Sequence, residues 1–165
     1  MAARRGLRSA VRSVLDLVRR TGTETGTRTG TRTGTRSTAP DVQYRPRDDD
    51  AADPGEIVWA WVPYDEGDGR GKDRPVLVIG RRGTDLLGLM LSSQDHDRDA
   101  ADEARHGRVW TDLGTGAWDA RGRPSEVRLD RLLHLAPGDV RREGAALDRA
   151  RFDRVVAEAR RVQGW

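Results

Sequence analysis

Three short apolar runs, each bounded by glycine, proline or charged residues, carry the clearest pattern in this chain. They are "PGEIVWAWVP" (54–63), "RPVLVIG" (74–80) and "DLLGLML" (85–91). Runs of this length, rich in β-branched and aromatic residues, predict strands. In the first, Ile57, Trp59 and Trp61 share one face while Val58, Ala60 and Val62 share the other. Apolar residues on both faces predict a strand covered on both sides, as in a closed or wrapped sheet. "GRVWTDLG" (107–114) and "SEVRLDRLLHL" (125–135) read as further strands. The last stretch sets Phe152, Val155, Val156, Ala159 and Val162 at helical spacing, with Gly164 as a stop. Several strands closed by one amphipathic helix predict an α+β domain over residues 54–165, built on a small, partly open β-barrel.

The pattern ahead of residue 54 is different. Within residues 1–20, Leu7, Val11, Val14, Leu15 and Val18 form one helical stripe ringed by arginines. Such a basic amphipathic helix suits a membrane surface or a partner, and a weakly structured tail is an equal reading. Residues 21–38 read "TGTETGTRTGTRTGTRST". Thr and Gly are poor helix formers with little to bury, so residues 21–53 are expected to be a disordered linker. Charge follows the same division. Residues 1–47 hold 11 arginines against three carboxylates, a charge of +8, and the remainder carries −5, for the net +3. A basic arm of this kind suggests contact with nucleic acid or anionic lipid.

Cysteine is absent, which removes disulfides, thiolate metal sites and thiol catalysis together. No apolar run approaches the roughly 20 residues of a membrane helix, and Arg12 and Asp16 interrupt what a signal peptide would keep apolar. A cytoplasmic location without stable membrane insertion is therefore expected. No cofactor or metal is called for. Asp95, Asp97 and Asp99 resemble the start of a calcium loop, but Ala100 stands at the glycine position and His106 at that of the bidentate glutamate. Residues 95–106 read as a solvated loop or short helix.

Three places are candidates for chemistry. Loop 64–74 is rich in glycine and ends on Arg74, a cation at the entrance of a strand; charged glycine loops are also ordinary turns. "LMLSSQDHD" (89–97) ends a strand in Ser92 and Ser93, whose hydroxyls suit a phosphate or simply a turn. In "SEVRLDR" (125–131), strand alternation sends Val127 and Leu129 inward and sets Glu126, Arg128 and Asp130 on the opposite face. A carboxylate and a cation two residues apart on a rigid strand suit acid–base work on a phosphodiester. The alternative is an exposed ion pair, worth about 0–1 kcal/mol.

The order of these elements resembles the MazF/PemK family of toxin–antitoxin ribonucleases over roughly residues 54–162. The resemblance rests on a strand opening "GEIVW", a Gly-rich loop closing in "RPVLVI", a strand ending in two hydroxyls, and a later "VRLDR" strand. It implies an SH3-like β-barrel with a C-terminal helix that forms a homodimer, is held by a cognate antitoxin, and cuts single-stranded RNA without a metal. It further implies roles for named residues. Asp130 would act as the base on the ribose 2′-OH, Arg128 as donor to the departing 5′ oxygen or as electrostatic partner, Arg74 as the phosphate clamp and Ser92 as an orienting hydroxyl. Ser93, Lys72, Arg70 and Tyr64 would contact the RNA; Trp59 or Trp61 could stack bases as Tyr64 could, but lying in a strand they read rather as core. The family loop usually runs Gly-x-Glu-Gln-x-Gly-x-Arg-Pro, with a histidine before the Glu in some members. Here Asp68, Gly69 and Arg70 replace the His, Glu and Gln. The alternative is accordingly a non-catalytic protein of the same fold that binds nucleic acid or poisons DNA gyrase.

Overall fold

The structure, a computed structural model, describes residues 39–94, 100–141 and 145–165. The helix expected within residues 1–20 and the Thr-Gly repeat lie outside the described residues. Among the described residues, eight strands form one antiparallel, branching sheet: β1 (Asp41–Val42), β2 (Ile57–Pro63), β3 (Gly71–Arg82), β4 (Asp85–Ser92), β5 (Trp110–Gly114), β6 (Ser125–Arg128), β7 (Leu133–Leu135) and β8 (Val140–Arg141). Among the described residues two α-helices, α1 (Ala100–Arg105) and α2 (Arg149–Gln163), and a 3-10 turn at Pro137–Asp139 complete it. The main path runs β5-β6-β4-β3-β2-β8, with β1 added to β3 and β7 to β4.

The expected burial on both faces holds for the central strands. Leu77, Ile79, Leu87, Leu89 and Leu91 point into one core, beneath α2. Val58, Ala60, Val62, Val76, Val78 and Met90 point into a second core on the other face. An unbroken apolar run on β3 and β4 is therefore two interleaved faces, each with its own cover. β2 keeps this pattern only over its first half. Trp61 is 58% exposed and Trp59 is half-buried, so the expected placement of the two tryptophans in the core fails. Beyond Ile57 the strand runs out from under α2, and its outer face meets solvent.

The single strand expected over residues 125–135 is two. β6 pairs with the end of β4 (Leu91↔Val127) and β7 with its beginning (Gly88↔Leu133). Three steps along β4 thus face six along the other chain, so residues 129–132 bulge from the sheet. Leu129 still returns to the first core, and its N–H donates to the Val109 carbonyl at 2.8 Å.

Helix α2 begins at Asp148, whose carboxylate accepts from the Arg151 N–H at 2.9 Å, and ends at Gly164 with φ 74°. Phe152, Val155, Val156 and Ala159 lie at the i, i+3, i+4, i+7 spacing and are all buried. Val162 continues the stripe but is 40% exposed.

The linker expected over residues 21–53 is not a linker from residue 39 onward. β1 pairs with β3 (Asp41↔Arg81, Val42↔Gly80). The strands approach so closely at Gly80 that an added Cβ would lie 2.2 Å from the Asp41 carbonyl oxygen. Tyr44 donates its hydroxyl to the Leu147 carbonyl at 2.8 Å and packs its ring on Phe152. Asp53, 2% exposed, receives Arg47 in a two-point grip at 2.8 and 2.9 Å, with Arg81 at 3.4 Å. The hydrogen bond from Arg47 leads the interactions that hold its carboxyl below the usual range, against the opposing effect of burial. A composition poor in apolar residues concealed this strap, since one tyrosine and one ion cluster supply its anchors.

Tyr44→Phe is expected to lower stability by about 1 kcal/mol, the net worth of one hydrogen bond, and Tyr44→Ala by about 2–4 kcal/mol as the ring contact goes too. Equilibrium denaturation checks both. Wild-type midpoints in the two variants would return residues 39–53 to the status of a tail.

Candidate active site

At Pro63 strand β2 ends, and residues 64–70 turn back to Gly71 at the start of β3. The turn closes through the Tyr64 N–H donating to the Arg70 carbonyl at 2.9 Å, and Gly67 and Gly69 supply the left-handed backbone it requires (φ 66° and 81°). This loop forms one wall of a cleft of about 350 Å³. Arg74, Met90, Trp110 and Arg128 form its floor. They come from β3, β4, β5 and β6, and the registers Val76↔Met90 and Trp110↔Arg128 bring them together on the face of the second core. Where that core runs out of apolar residues, the same face becomes a charged cleft.

Arg128 is the centre of the site and is only 6% exposed. Its Nε and Nη2 donate to Asp130 at 2.8–3.1 Å, a fork on one carboxylate. Its Nη1 donates to Asp65 Oδ2 at 2.8 Å. The Arg128–Asp130 pair is therefore no exposed ion pair: Arg128 is buried and Asp130 half-buried. Asp130 also accepts the Val109 N–H at 2.7 Å. Burial disfavours the Arg128 charge, yet the hydrogen bonds of Asp130 and Asp65 more than offset it and its pKa rises.

Asp65 is the residue that reading the sequence missed. Besides Arg128 it receives Arg131 Nη1 at 2.9 Å and Arg108 Nε at 3.3 Å, so three guanidinium groups converge on one carboxylate. Burial pushes its pKa up, and hydrogen bonding and charge from these arginines pull it further down, leaving it lowered. Arg131 is fixed in addition by the Pro63 carbonyl at 2.8 Å, and Arg108 by Glu103, which also accepts the Trp110 indole N–H at 3.0 Å. The loop 64–74 and the position beside Asp130 were the only signals in the sequence. Arg108, from a third segment, had none.

The other candidate residues divide between two clefts. Tyr64 and Arg70 line the first with Arg128, although Arg70 is engaged by Asp68 at 2.6 Å. Lys72, Ser92 and Ser93 line a neighbouring cleft of about 410 Å³, which also holds Trp59 and Trp118. Arg74 lines both. Among the described residues no carboxylate pairs with it. Ser92 Oγ accepts the Gln94 N–H at 3.1 Å, the turn role weighed for it above, and its own hydroxyl proton remains available. Among the described residues no three His, Cys, Asp or Glu side chains are grouped as metal ligands, and no helix is long and apolar enough to cross a membrane. The aspartates at 95, 97 and 99 lie outside the described residues; Ala100–Arg105 is the short helix α1.

A family model described as PemK-like, MazF-like toxin of type II toxin–antitoxin system matches residues 53–162, two thirds of the chain. This chain belongs to that family. The matched span holds both clefts, whereas β1 and the Tyr44 anchor precede it. Among solved structures, a chain of MazE–MazF from Deinococcus radiodurans is similar at 22% identity, with a TM-score of 0.43, over 70% of this chain and 95% of that one. No curated protein matches.

Because the folded state depresses the Asp65 pKa, its pairing contributes in full above the ordinary carboxylate range and is lost as pH falls through the lowered folded value. Asp65→Asn is expected to cost about 0.5–1 kcal/mol at neutral pH. The difference from wild type should shrink on acidification below pH ~4. Urea melts across pH check this; a difference that stays constant with pH would show that the charge is not what matters.

Proposed function

We propose that this toxin-family protein is an endoribonuclease that cleaves single-stranded RNA by attack of the ribose 2′-OH on the neighbouring phosphorus, with no metal in the reaction. The observation that carries the reading is Arg74. This half-buried guanidinium, without a carboxylate partner among the described residues, shares a cleft with the Arg128–Asp130 pair. A cation held by a strand and left unpaired is suited to an anion from outside, and a phosphodiester is the anion that guanidinium geometry fits in two-point fashion.

In this mechanism Arg74 clamps the scissile phosphate from the boundary between the two clefts. Asp130 accepts the 2′-OH proton. Both of its oxygens are engaged by Arg128, and a phosphate that draws Arg128 toward itself frees a carboxylate lone pair while the guanidinium meets the charge building on the phosphoryl oxygens. Arg128 then supports the departing 5′ oxygen electrostatically, its own proton being too tightly held to transfer readily, and a water molecule gives that oxygen the proton that makes it the 5′-OH. Ser92 orients the phosphate from the second cleft, where Lys72 and Ser93 receive the adjoining nucleotide, and Tyr64 and Arg70 flank the strand in the first. The second reading, a nucleic-acid-binding or gyrase-poisoning protein that cuts nothing, draws on the same two-point grip, since a carboxylate held by Arg128 and the Val109 N–H is a restrained base.

The family assignment brings an antitoxin protein as partner. An acidic segment of that partner laid across the cleft would neutralise Arg74. A homodimer fits the same reading, because two-fold pairing would extend a small cleft into a groove long enough for a strand; light scattering at micromolar concentration should give twice the chain mass, and a monomer would remove this element.

Asp130→Asn is expected to cut the cleavage rate by about 10²–10⁴ while leaving RNA affinity within a few-fold. Arg74→Ala should weaken binding and rate together, and Ser92→Ala should cost only a few-fold, the scale of one neutral hydrogen bond. Products should carry 2′,3′-cyclic phosphate and 5′-OH ends and form equally in EDTA. Cleavage that needs magnesium, or that survives Asp130→Asn, would overturn the mechanism.

A further inference from the structure

We propose that Arg108 and Arg131 form a second phosphate subsite, and that the Asp65 carboxylate, which they share with Arg128, occupies it until an RNA phosphodiester takes its place. The inference rests on the reading of the cleft as an RNA site, and extends it from the scissile phosphate held by Arg74 to a neighbouring one. Three guanidinium groups reach one carboxylate at 2.8, 2.9 and 3.3 Å. Together with Asp65, Asp130 and Glu103 bring the three arginines to charge balance, yet Asp65 alone takes hydrogen bonds from all three. Glu103 meets Arg108 only at 3.5 Å, and Asp130 is already matched to the fork of Arg128. Among the described residues the Arg131 guanidinium has no second carboxylate; its other contact there is the Pro63 carbonyl.

The carboxylate and the cations differ in how firmly they are placed. Arg128 stands on β6 and is buried, whereas Asp65 stands on the turn between β2 and β3, with a side chain 32% exposed. The glycines at 67 and 69 follow it in left-handed conformation. The anion is thus on the adjustable element and at least one of its cations on the rigid one. A carboxylate and a phosphodiester each present two anionic oxygens to a guanidinium and carry one negative charge, so exchange of one for the other leaves the charge of the cluster unchanged. Arg74 lines the same cleft, which puts the scissile phosphate and its neighbour in one channel. Asp65 then sets a threshold for binding: an isolated anion gains little by displacing it, while a strand already held at Arg74 brings its next phosphate at high effective concentration.

The test uses the full chain and a short 2′-O-methyl RNA oligonucleotide, which binds but offers no 2′-OH to attack. Asp65→Asn is expected to bind it roughly 5-fold more tightly, the scale of one surface ion pair no longer competing. Its plot of log K against log salt should steepen by about 0.7, the value for one additional net phosphate contact on a single strand. Arg131→Gln should weaken binding in the wild-type background, reduce the slope by a similar amount, and remove the gain when combined with Asp65→Asn. If Asp65→Asn fails to fold, the Arg131→Gln arm decides alone. Unchanged or weaker binding in Asp65→Asn with a folded chain would make Asp65 a structural brace and overturn the proposal, as would wild-type binding in Arg131→Gln. A chain that binds a polyglutamate peptide through these arginines but no oligonucleotide would overturn it in favour of a protein partner. Since the oligonucleotide cannot be cut, the expected shifts in a chain without ribonuclease activity would support the subsite while removing the cleavage reading.

Discussion

Arg128 is the constraint on which the arrangement of this site depends. A guanidinium almost wholly withdrawn from water is tolerated only if its donors are met, because a buried charge without partners costs several kcal/mol. Asp130 and Asp65 meet them from two directions. Each partner dictates a piece of backbone. Asp130 reaches Arg128 from the bulge between β6 and β7, where six steps of chain face three of β4. Asp65 reaches it because β2 stops at Pro63 and the chain turns back over the cleft. Val109, ahead of β5, is tied in through its N–H to Asp130. One buried cation therefore sets the loop, the bulge and the approach to β5 in a single network.

The sheet explains why the network lies where it does. β3 and β4 are apolar on both faces, and each face fills its own core. α2 covers the first. Along the second, Val76 and Met90 are the last apolar positions before Arg74 and Arg128 continue the same face. The cleft is the uncovered end of a core, with strand backbone beneath it and charged side chains in place of aliphatic ones. A rigid floor and a glycine-containing wall suit a site that must hold its cations still while admitting a flexible strand. The pairing census is uneven: Arg128, Arg131 and Arg108 share carboxylates, whereas Arg74 has none among the described residues.

Residues 39–53 show a different economy. The segment has few apolar side chains, yet it is held by a two-residue strand, one tyrosine and a buried aspartate gripped by Arg47. It lies almost wholly ahead of the span shared with the toxin family. Its anchors fall on β3 and α2, so it braces the two elements that pack the first core.

Much of the fold was legible in the sequence because alternation and helical spacing are local. The three apolar runs became β2, β3 and β4, and the stripe Phe152, Val155, Val156, Ala159 became the buried face of α2. The pairing of Arg128 with Asp130 was legible from their spacing of two, although β6 ends at Arg128 and Asp130 reaches it from the bulge rather than by strand alternation. Other features depended on contacts between distant segments. Trp61 is exposed because no described residue covers that half of β2, and no local pattern encodes what lies above a strand. The break in residues 125–135 follows from the partners β4 offers at its two ends. Asp65 gained its three arginines from residues 43, 63 and 66 positions away along the chain. The sequence by itself determined which residues alternate and which face each shares, because covalent geometry repeats every two or 3.6 residues. Only the tertiary structure decided which charges meet, because an ion pair is set by distance in space and leaves no period in the chain.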